Sequence, residues 1–179
     1  MSKCLWKSMR KGLESGHGDM KWKVGKWYKV NGVLEMCRNG LHASEKILDT
    51  MAYVPLENLV KVEVRGKHLS QSDKQCWSEM RIVKAWKWEK KDSVALAVYA
   101  AELVLENFEK EYPDDKRPRE AIEAAKKVLK RDSQKNRSAA WSARSAAESA
   151  AESEIVDKIE AWIKRRIKTL KVIGKTNES

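Results

Sequence analysis

The stretch LVKVEV (Leu59–Val64) alternates apolar and charged side chains at every second position. A β-strand places neighbouring side chains on opposite faces, so this alternation is typical of a strand with one buried face. The stretch EMRIVKAW (Glu79–Trp86) is similarly rich in aliphatic and aromatic residues and predicts a second strand. The two stretches together predict a mostly antiparallel sheet in this part of the chain.

The residues upstream of these strands predict a hairpin followed by a short helix. Asn31–Gly32 separates the apolar-alternating run KWKVGKWYKV (Lys21–Val30) from VLEMC (Val33–Cys37), and Asn-Gly favours a tight turn because both residues adopt positive φ. After CRNGLHAS, Ser44 is expected to cap a short helix. One face of that helix carries Ile47, Leu48 and Met51.

From Asp92 onward the apolar residues recur with a helical period. Asp92 is expected to cap a first helix that ends before the Pro113–Asp115 break, and Pro118 suits the first turn of a second helix. A long third helix is predicted from Ser138 to Leu170. The expected inward positions are Val94, Val98, Ala101, Leu105 and Phe108, then Ala121, Ala125, Val128 and Leu129, then Ile155, Ile159, Trp162, Ile163, Ile167 and Leu170.

The first half of the third helix is a repetitive alanine tract up to Ala151. Alanine is a strong helix former, so the tract suits either a solvated arm or close packing within the chain. The larger residues after Ile155 suit packing against the β half or a homodimer seam.

These patterns predict an α+β fold. A small, mostly antiparallel sheet with one short helix is followed by a three-helix C-terminal region with a long last helix. The expected organisation is a basic α+β module over residues 1–91, a helical domain over residues 92–173 and a flexible tail over residues 174–179.

Positive charge is concentrated in the first half of the chain. Residues 1–91 carry 19 basic and 10 acidic side chains, giving +9, whereas the remaining 88 residues carry 18 and 16, giving +2. A concentrated positive half favours an acidic partner, either a protein surface or nucleic acid, although the lysines could also serve solubility alone.

Two basic clusters interleave lysine with aromatic residues and are the candidate partner-binding sites. Such residues could contact an acidic protein surface, stack and hold nucleic acid, or combine a buried aromatic core with solubilising lysines. Arg117 and Arg119 are added because their forked donors suit an interface, while paired charges at a helix start are the structural alternative. The candidates are Lys21, Trp22, Lys23, Lys26, Trp27, Lys29, Lys84, Lys87, Trp88, Arg117 and Arg119.

The stretch CRNGLHAS (Cys37–Ser44) is the candidate chemical site. Cys37 and His42 could form a thiolate–imidazolium pair, or could bind zinc together with His68 and Cys76, but the spacings fit no common zinc motif. A transferase in which the histidine holds a nucleotide ribose is a further alternative. The favoured interpretation is a buried Cys37 thiol and a histidine that hydrogen-bonds the backbone of the turn, with no catalytic residue, no metal and no cofactor.

The helical half resembles a known family. Residues 92–151, above all FEKEYPDDKRPREAIEAAKKVLK (Phe108–Lys130), resemble the helical immunity-protein domain of polymorphic-toxin systems. The chain departs from that pattern at Val128–Lys130, where a Trp–aliphatic–Gly ending is common. The matching residues are Asp114, Asp115, Arg117, Pro118, Arg119, Ala121, Ile122, Glu123, Ala124 and Ala125.

Residues 21–88 are similar to an uncharacterised domain of phages and bacteria in which a G-(L/F)-H-A motif follows a hairpin. The resemblance brings no activity with it, but such pairs of domains are frequent in phage genomes and mobile elements. The matching positions are Cys37, Gly40, Leu41, His42, Ala43, Glu63, Val64, Gly66, Asp73, Lys74, Ser78 and Ile82.

The two resemblances imply a non-enzymatic phage or mobile-element accessory protein. It would bind and inhibit a host or rival protein, as immunity proteins and anti-CRISPR inhibitors of RNA-guided nucleases do. The alternatives are an RNA- or DNA-binding module that uses the basic clusters, and an enzyme that uses Cys37 and His42.

The remaining sequence features bear on location. No apolar run approaches the roughly 18 residues of a membrane helix, and the N-terminus lacks the apolar core of a signal peptide. Three widely spaced cysteines do not make a disulfide framework. We therefore expect a protein of the host cytoplasm.

Overall fold

A computed structural model describes residues 3–17, 20–54, 56–130 and 153–176. The fold is α+β, with a six-stranded antiparallel sheet and helices in these residues. The chain divides into two compact units. The sheet unit contains the residues up to Trp88 together with those from Ile167 onward, and the helical unit is Glu89–Arg166.

The sheet is organised around two long central strands. Its order begins β1-β4-β5, and the second edge of β5 is shared in succession by β3, β2 and β6. Three short strands thus cover an edge that would otherwise present unpaired backbone groups. The strands are β1 (Lys3–Met9), β2 (Trp27–Lys29), β3 (Leu41–Ala43), β4 (Asn58–Ser70), β5 (Gln75–Lys87) and β6 (Val172–Lys175).

The hairpin of β4 and β5 confirms the two strands predicted from alternation. Leu59 lies opposite Trp86 and Val62 opposite Ile82, with a bulge between these pairs. The alternate apolar side chains of both strands are fully buried, and on the opposite face the Glu63 carboxylate accepts a hydrogen bond from Arg81 at 2.6 Å. The period of two therefore sets which face enters the core.

The first strand is not among the sequence predictions. Leu5 and Met9 of β1 are buried and pack with β4, but Lys7 occupies the position between them on the same face. A lysine at a core position breaks the apolar alternation on which strand prediction depends.

The predicted hairpin around Asn31–Gly32 is wrong. Strand β2 pairs with β5, while the residues after Gly32 form a tight turn closed by the bridge between Glu35 and Asn39. The Asn39 amide holds this turn by donating to the carbonyl oxygens of Asn31 and Val33, both at 2.8 Å. Side-chain hydrogen bonds of this kind compete with strand pairing.

The short helix is confirmed as α1 (Ile47–Met51), but its predicted cap is not. The cap residue is Lys46, and no side chain caps the helix. Ser44 is buried, and its backbone exchanges two hydrogen bonds of 2.9 Å with Trp6.

The helical unit contains α2 (Lys90–Glu111), α3 (Arg117–Lys130) and α4, which begins in this unit and spans Ser153–Ile167. The break at Pro113–Asp115 and the placement of Pro118 in the first turn of α3 are confirmed. Helix α2 begins before Asp92, which stands in its first turn and accepts a hydrogen bond from the Glu89 amide at 2.8 Å. None of the described helices combines the length and apolar character that a membrane span requires.

Seven of the fourteen predicted inward positions whose burial the structure describes are buried, and six of the other seven are half-buried. Val94, Val98 and Leu105 of α2 pack with Ile122 of α3. Ala121 is exposed, and Ile122 takes the inward position in its place. Helix α4 ends at Ile167, before Leu170, and buries Ile155, Ile159, Ile163 and Ile167. The alanine tract and the first half of the predicted third helix lie outside the described residues.

The last strand differs from the predicted tail and domain boundaries. Gly174 pairs with Ala85, and Lys175 pairs with Lys84, so these two residues belong to the sheet. The Lys87 amide also donates to the Lys171 carbonyl at 2.9 Å. The sheet unit therefore consists of two segments of the chain, one that ends at Trp88 and a second that begins at Ile167.

Candidate functional site

The turn before β3 depends on one glycine. A Cβ atom on Gly40 would overlap the sulfur of Cys76 on the neighbouring strand β5. Cys37 adopts a positive backbone angle φ of 66°, which residues other than glycine rarely adopt. The segment thus contacts β5 closely at Gly40 and is strained at Cys37.

His42 holds this turn through the backbone, as the favoured interpretation predicted. Its Nε2 accepts a hydrogen bond from the Cys37 amide at 3.1 Å, which requires that nitrogen to be unprotonated. Burial lowers the pKa of His42 below 6.5, and the charges of Lys7 and Lys74 lower it further. The imidazole is therefore neutral near pH 7 and acts as a structural acceptor.

The proposed thiolate–imidazolium pair is not formed, because Nε2 is bound to the amide of Cys37. The predicted burial of the Cys37 thiol is wrong, because Cys37 lies on an exposed turn. Cys76 is the buried cysteine, and burial raises the pKa of its thiol. His68 stacks on Trp77 with ring centres 4.3 Å apart. Within the residues that the structure describes, no three His, Cys, Asp or Glu side chains could together hold a metal ion.

Lys7 is a candidate residue that the sequence predictions missed. Its side chain lies on the core-facing side of β1, and Nζ donates to the His42 carbonyl at 2.9 Å. Desolvation lowers the pKa of Lys7 to about 8. A lysine midway between Leu5 and Met9 was the available signal, since lysine seldom occupies a core position without a partner.

A second candidate site is the lysine loop, defined as Lys21–Lys29. Trp22 is buried and lies 4.5 Å from the Tyr28 ring, and its indole N–H donates to the Ser15 hydroxyl at 2.8 Å. The Tyr28 hydroxyl donates to the Lys21 carbonyl at 3.2 Å and accepts from the Lys23 amide at 2.9 Å. The two aromatic residues therefore hold the loop from its inner side.

The lysine side chains of this loop are directed to solvent. Lys21, Lys23, Lys26 and Lys29 are all exposed. Lys21 lies 3.3 Å from Glu14 and Lys29 lies 3.9 Å from Glu79, while Lys23 and Lys26 form no ion pair in the described part of the chain. The lysine loop is thus a fixed, weakly neutralised cationic surface.

The basic surface continues across the sheet. Lys61, Lys84 and Lys175 are neighbours on three adjacent strands. The lysine loop lies beside the last of these strands, because Val24 packs against Gly174. Lys87 is exposed just beyond this row.

The aromatic members of the predicted surface are not free. Trp22 and Trp88 are only 4% and 3% exposed, so their rings belong to the core and contact with a partner through them is ruled out in this structure. Trp27 lies under two guanidinium groups, those of Arg65 at 3.9 Å and Arg81 at 5.0 Å from its ring centre. Trp22 and Trp88 therefore leave no open face for stacking a base, and Trp27 already stacks with arginine side chains of the protein.

The two arginines of the helical unit are already paired within it. Arg117 donates to both carboxylate oxygens of Asp115, at 2.9 and 2.6 Å, and holds the pKa of Asp115 at about 2. Arg119 makes a similar pair with Glu109, at 2.6 and 2.5 Å. These contacts match the structural alternative, a helix start with paired charges.

The sheet unit thus defines a small antiparallel α+β domain with a cationic loop and a half-buried lysine, Lys7. Residues 3–92 match the family described as "Domain of unknown function (DUF7666)", which spans β1 to the start of α2, and the chain belongs to this family. No curated protein and no solved structure matches the chain.

Proposed function

We propose that this chain is a non-enzymatic binding protein whose sheet unit docks onto an acidic protein surface through the lysine loop. The observation that carries the proposal is the pair Lys23 and Lys26, two exposed cations that form no ion pair among the described residues, on a loop fixed by contacts of Trp22 and Tyr28. The Lys26 amine lies 5.3 Å from the centre of the Tyr28 ring and keeps its full charge there. A loop that is already ordered loses little conformational entropy on binding.

The charge of the loop suits long-range attraction. No Asp or Glu occurs from Met20 to Leu34, so neutralising carboxylates come only from other segments. Exposed charges of this kind act over about 10 Å at 0.1 M salt and mainly raise the association rate. The complex is therefore expected to form more slowly as salt is added.

An acidic protein is favoured over single-stranded nucleic acid because the aromatic residues are occupied. Binding to single strands commonly combines a basic groove with exposed aromatic rings. Here Trp22 and Trp88 are buried, and Trp27 is covered by arginine. What the lysine loop offers to a partner is therefore mainly the positive charge of its exposed lysines.

The class of target is proposed from sequence resemblance alone. The likeness of the helical half to immunity domains of toxin systems suggests that the partner is a host or rival protein, which the chain would inhibit. An RNA-guided nuclease complex is one such target. The inhibitor would act by occupying a surface, with no bond made or broken.

The test compares two charge reversals on the lysine loop with two elsewhere in the sheet unit. The double variant K23E/K26E removes the unpaired cations, and K46E/K67E makes the same change in net charge at exposed positions outside the loop. Each protein is immobilised and exposed to host lysate with and without nuclease treatment, and retained proteins are identified by quantitative mass spectrometry. The association rate of the principal retained protein is then measured with purified components at low and high salt.

We expect wild type and K46E/K67E to retain the same acidic protein and K23E/K26E to lose it. With purified components, the reversal should slow association about ten-fold at low salt and leave a smaller effect at high salt. Equal retention by the two double variants contradicts the proposal. Retention that disappears on nuclease treatment would instead indicate nucleic-acid binding, which mobility shifts with single strands and duplexes would establish.

A further inference from the structure

A cleft of about 530 Å³ lies within the sheet unit, beside the turn that carries His42. Apolar side chains line part of it, including Trp6, Met20, Val30 and Leu41. Cavities that hold small organic ligands usually span about 300–1,000 Å³ and combine apolar walls with a few polar groups. The cleft therefore has the size and surface of a ligand site.

The polar side chains of the cleft are strongly biased towards positive charge. Lys7, Arg38 and Lys74 line it, together with the His17 side chain and the His42 imidazole, which is neutral near pH 7. None of the described lining residues is an aspartate or a glutamate. A site with this composition favours an anion.

Two of the three cations have partners at the edge of the cleft. Arg38 is bound to Glu35 at 3.0 Å, and Lys74 lies 4.4 Å from the centre of the Tyr53 ring. The Tyr53 hydroxyl in turn donates to Asp73, the neighbour of Lys74 in the chain. Their charges are therefore partly compensated within the protein.

Lys7 differs from these two because its described partner is a neutral carbonyl. Nζ donates to the His42 oxygen at 2.9 Å, and no carboxylate contacts it among the described residues. Withdrawing an ammonium group from water without an anionic partner is costly. Desolvation is accordingly the cause that lowers its pKa to about 8.

We infer that the cleft binds a small organic anion, with its carboxylate or phosphate against Lys7 and its apolar or aromatic body between Trp6 and Leu41. Such a ligand supplies the negative charge that no described residue places beside Nζ. Its body covers apolar surface that the cleft otherwise leaves open to water. Trp22 of the lysine loop lines the cleft, but none of the four loop lysines does. The inference therefore does not depend on the proposed docking function.

The carbonyl of His42 has a defined part in this site. It fixes the direction of the Lys7 amine, while the imidazole of the same residue holds the turn through Cys37. The lysine is therefore pre-oriented, which lowers the entropic cost of binding an anion.

The test uses two pairs of probes that differ in charge. Adenosine monophosphate is compared with adenosine, and benzoate with benzamide, so that the first pair reports on a phosphate and the second on a carboxylate. Inorganic phosphate is measured alone to detect binding without an organic body. Titration calorimetry at low salt near pH 7 gives the affinities for wild type, Lys7→Met and the control variant Lys23→Met.

At least one of the two organic anions should bind wild type with a dissociation constant below about 1 mM, and about ten-fold more tightly than its neutral partner. Lys7→Met should lose that difference, because methionine keeps the chain length without the charge. Lys23→Met should retain it, since Lys23 lies on the lysine loop and does not line the cleft. Equal affinities for anion and neutral partner, or no binding of either anion, overturn the inference.

A second measurement on the wild type covers the case in which Lys7→Met does not fold. Amines are labelled briefly with acetic anhydride near pH 8, and the labelled lysines are located by mass spectrometry. The bound anion should reduce labelling of Lys7 about ten-fold while leaving Lys23 unchanged, since an ion-paired ammonium is both shielded and less often deprotonated. Undiminished labelling of Lys7 with the anion at saturation overturns the inference.

Discussion

The sulfur of Cys76 occupies the space that a side chain on Gly40 would need. Because Gly40 lies in the turn before β3 and Cys76 lies on β5, this contact fixes how closely the turn approaches that strand. The glycine of the G-L-H-A stretch therefore has a steric explanation within this structure.

We expect Gly40→Ala to lower the free energy of unfolding by about 2–3 kcal/mol, since the new methyl group would force Cys76 or the turn to move. Cys76→Ala alone should cost about 1 kcal/mol through the small cavity that it leaves. The double variant should be less destabilised than the sum of the two, because the overlap is relieved. Urea unfolding of the four proteins measures this coupling.

Gly12→Ala is the control for that experiment. Gly12 also has a positive φ, of 76°, but it has open space where a side chain would lie. Its substitution should cost about 1 kcal/mol from backbone strain alone. Additive effects of the Gly40 and Cys76 substitutions would show that the contact does not constrain the turn.

The pKa of Lys7, lowered to about 8 from 10.5, predicts a pH-dependent stability. Between these two pH values the unfolded chain retains a proton that the folded protein has lost, so the folded state gains stability as pH rises through the window. Because Lys7 is only half-buried, screening by solvent reduces the effect, and we expect a gain of about 2 kcal/mol.

Lys7→Met should abolish this component, and the difference between variant and wild type isolates it from other groups that titrate in the same range. Denaturation in urea at intervals from pH 7 to 11 provides the measurement. Lys23→Met serves as the control and should follow the wild-type curve. If Lys7→Met keeps the wild-type pH dependence, the amine is not desolvated in solution.

The ion pair between Asp92 and Arg166 is expected to contribute strongly to the stability of the helical unit. Asp92 is 1% exposed, and its Oδ1 accepts hydrogen bonds from Arg166 at 2.9 and 2.6 Å. Removing the arginine leaves a buried carboxylate without its counter-ion, so we expect Arg166→Met to cost about 3 kcal/mol. Hydrogen exchange of the α2 and α4 amides in the full chain measures this loss.

The neighbouring Arg165 is exposed and offers a matched control, for which a change within about 0.5 kcal/mol is expected. Combining Asp92→Asn with Arg166→Met should restore part of the lost protection, since no unpaired charge remains. Identical exchange in the Arg166 and Arg165 variants would mean that the pair contributes nothing to stability.

The parts of the fold that were predictable are those governed by simple periodicity. The alternation around Val62 and Ile82 gave the central hairpin, and the helical stripe from Val94 to Leu105 gave the buried face of α2. Strand β1 was missed because Lys7 interrupts its apolar face. The hairpin predicted at Asn31–Gly32 does not form, because the side-chain amide of Asn39 binds the carbonyl oxygens of Asn31 and Val33 and stabilises a different turn. A hydrogen bond between residues six to eight positions apart leaves no simple periodic signal in the sequence.

In the candidate sites, too, features set by local sequence were predictable and features set by contacts between distant segments were not. The backbone role of His42 was predictable from a polar residue in a turn, and the exposed lysines from charge alone. Which tryptophans are buried depends on side-chain direction, and Trp22 shares the inner side of its loop with Tyr28. The cleft brings together Lys7, Arg38 and Lys74 from three separate segments, a proximity that no local pattern contains.

The pairing of β6 with β5 has a topological consequence. Lys87 and Lys171 are hydrogen-bonded to one another, so the polypeptide leaves the sheet and rejoins it at adjacent points of two antiparallel strands. The helical segment is therefore an insertion between the two strands of one β-hairpin, β5 and β6. A short reverse turn would connect the same two strand ends. Inserted segments of very different length are therefore compatible with the same register between β5 and β6.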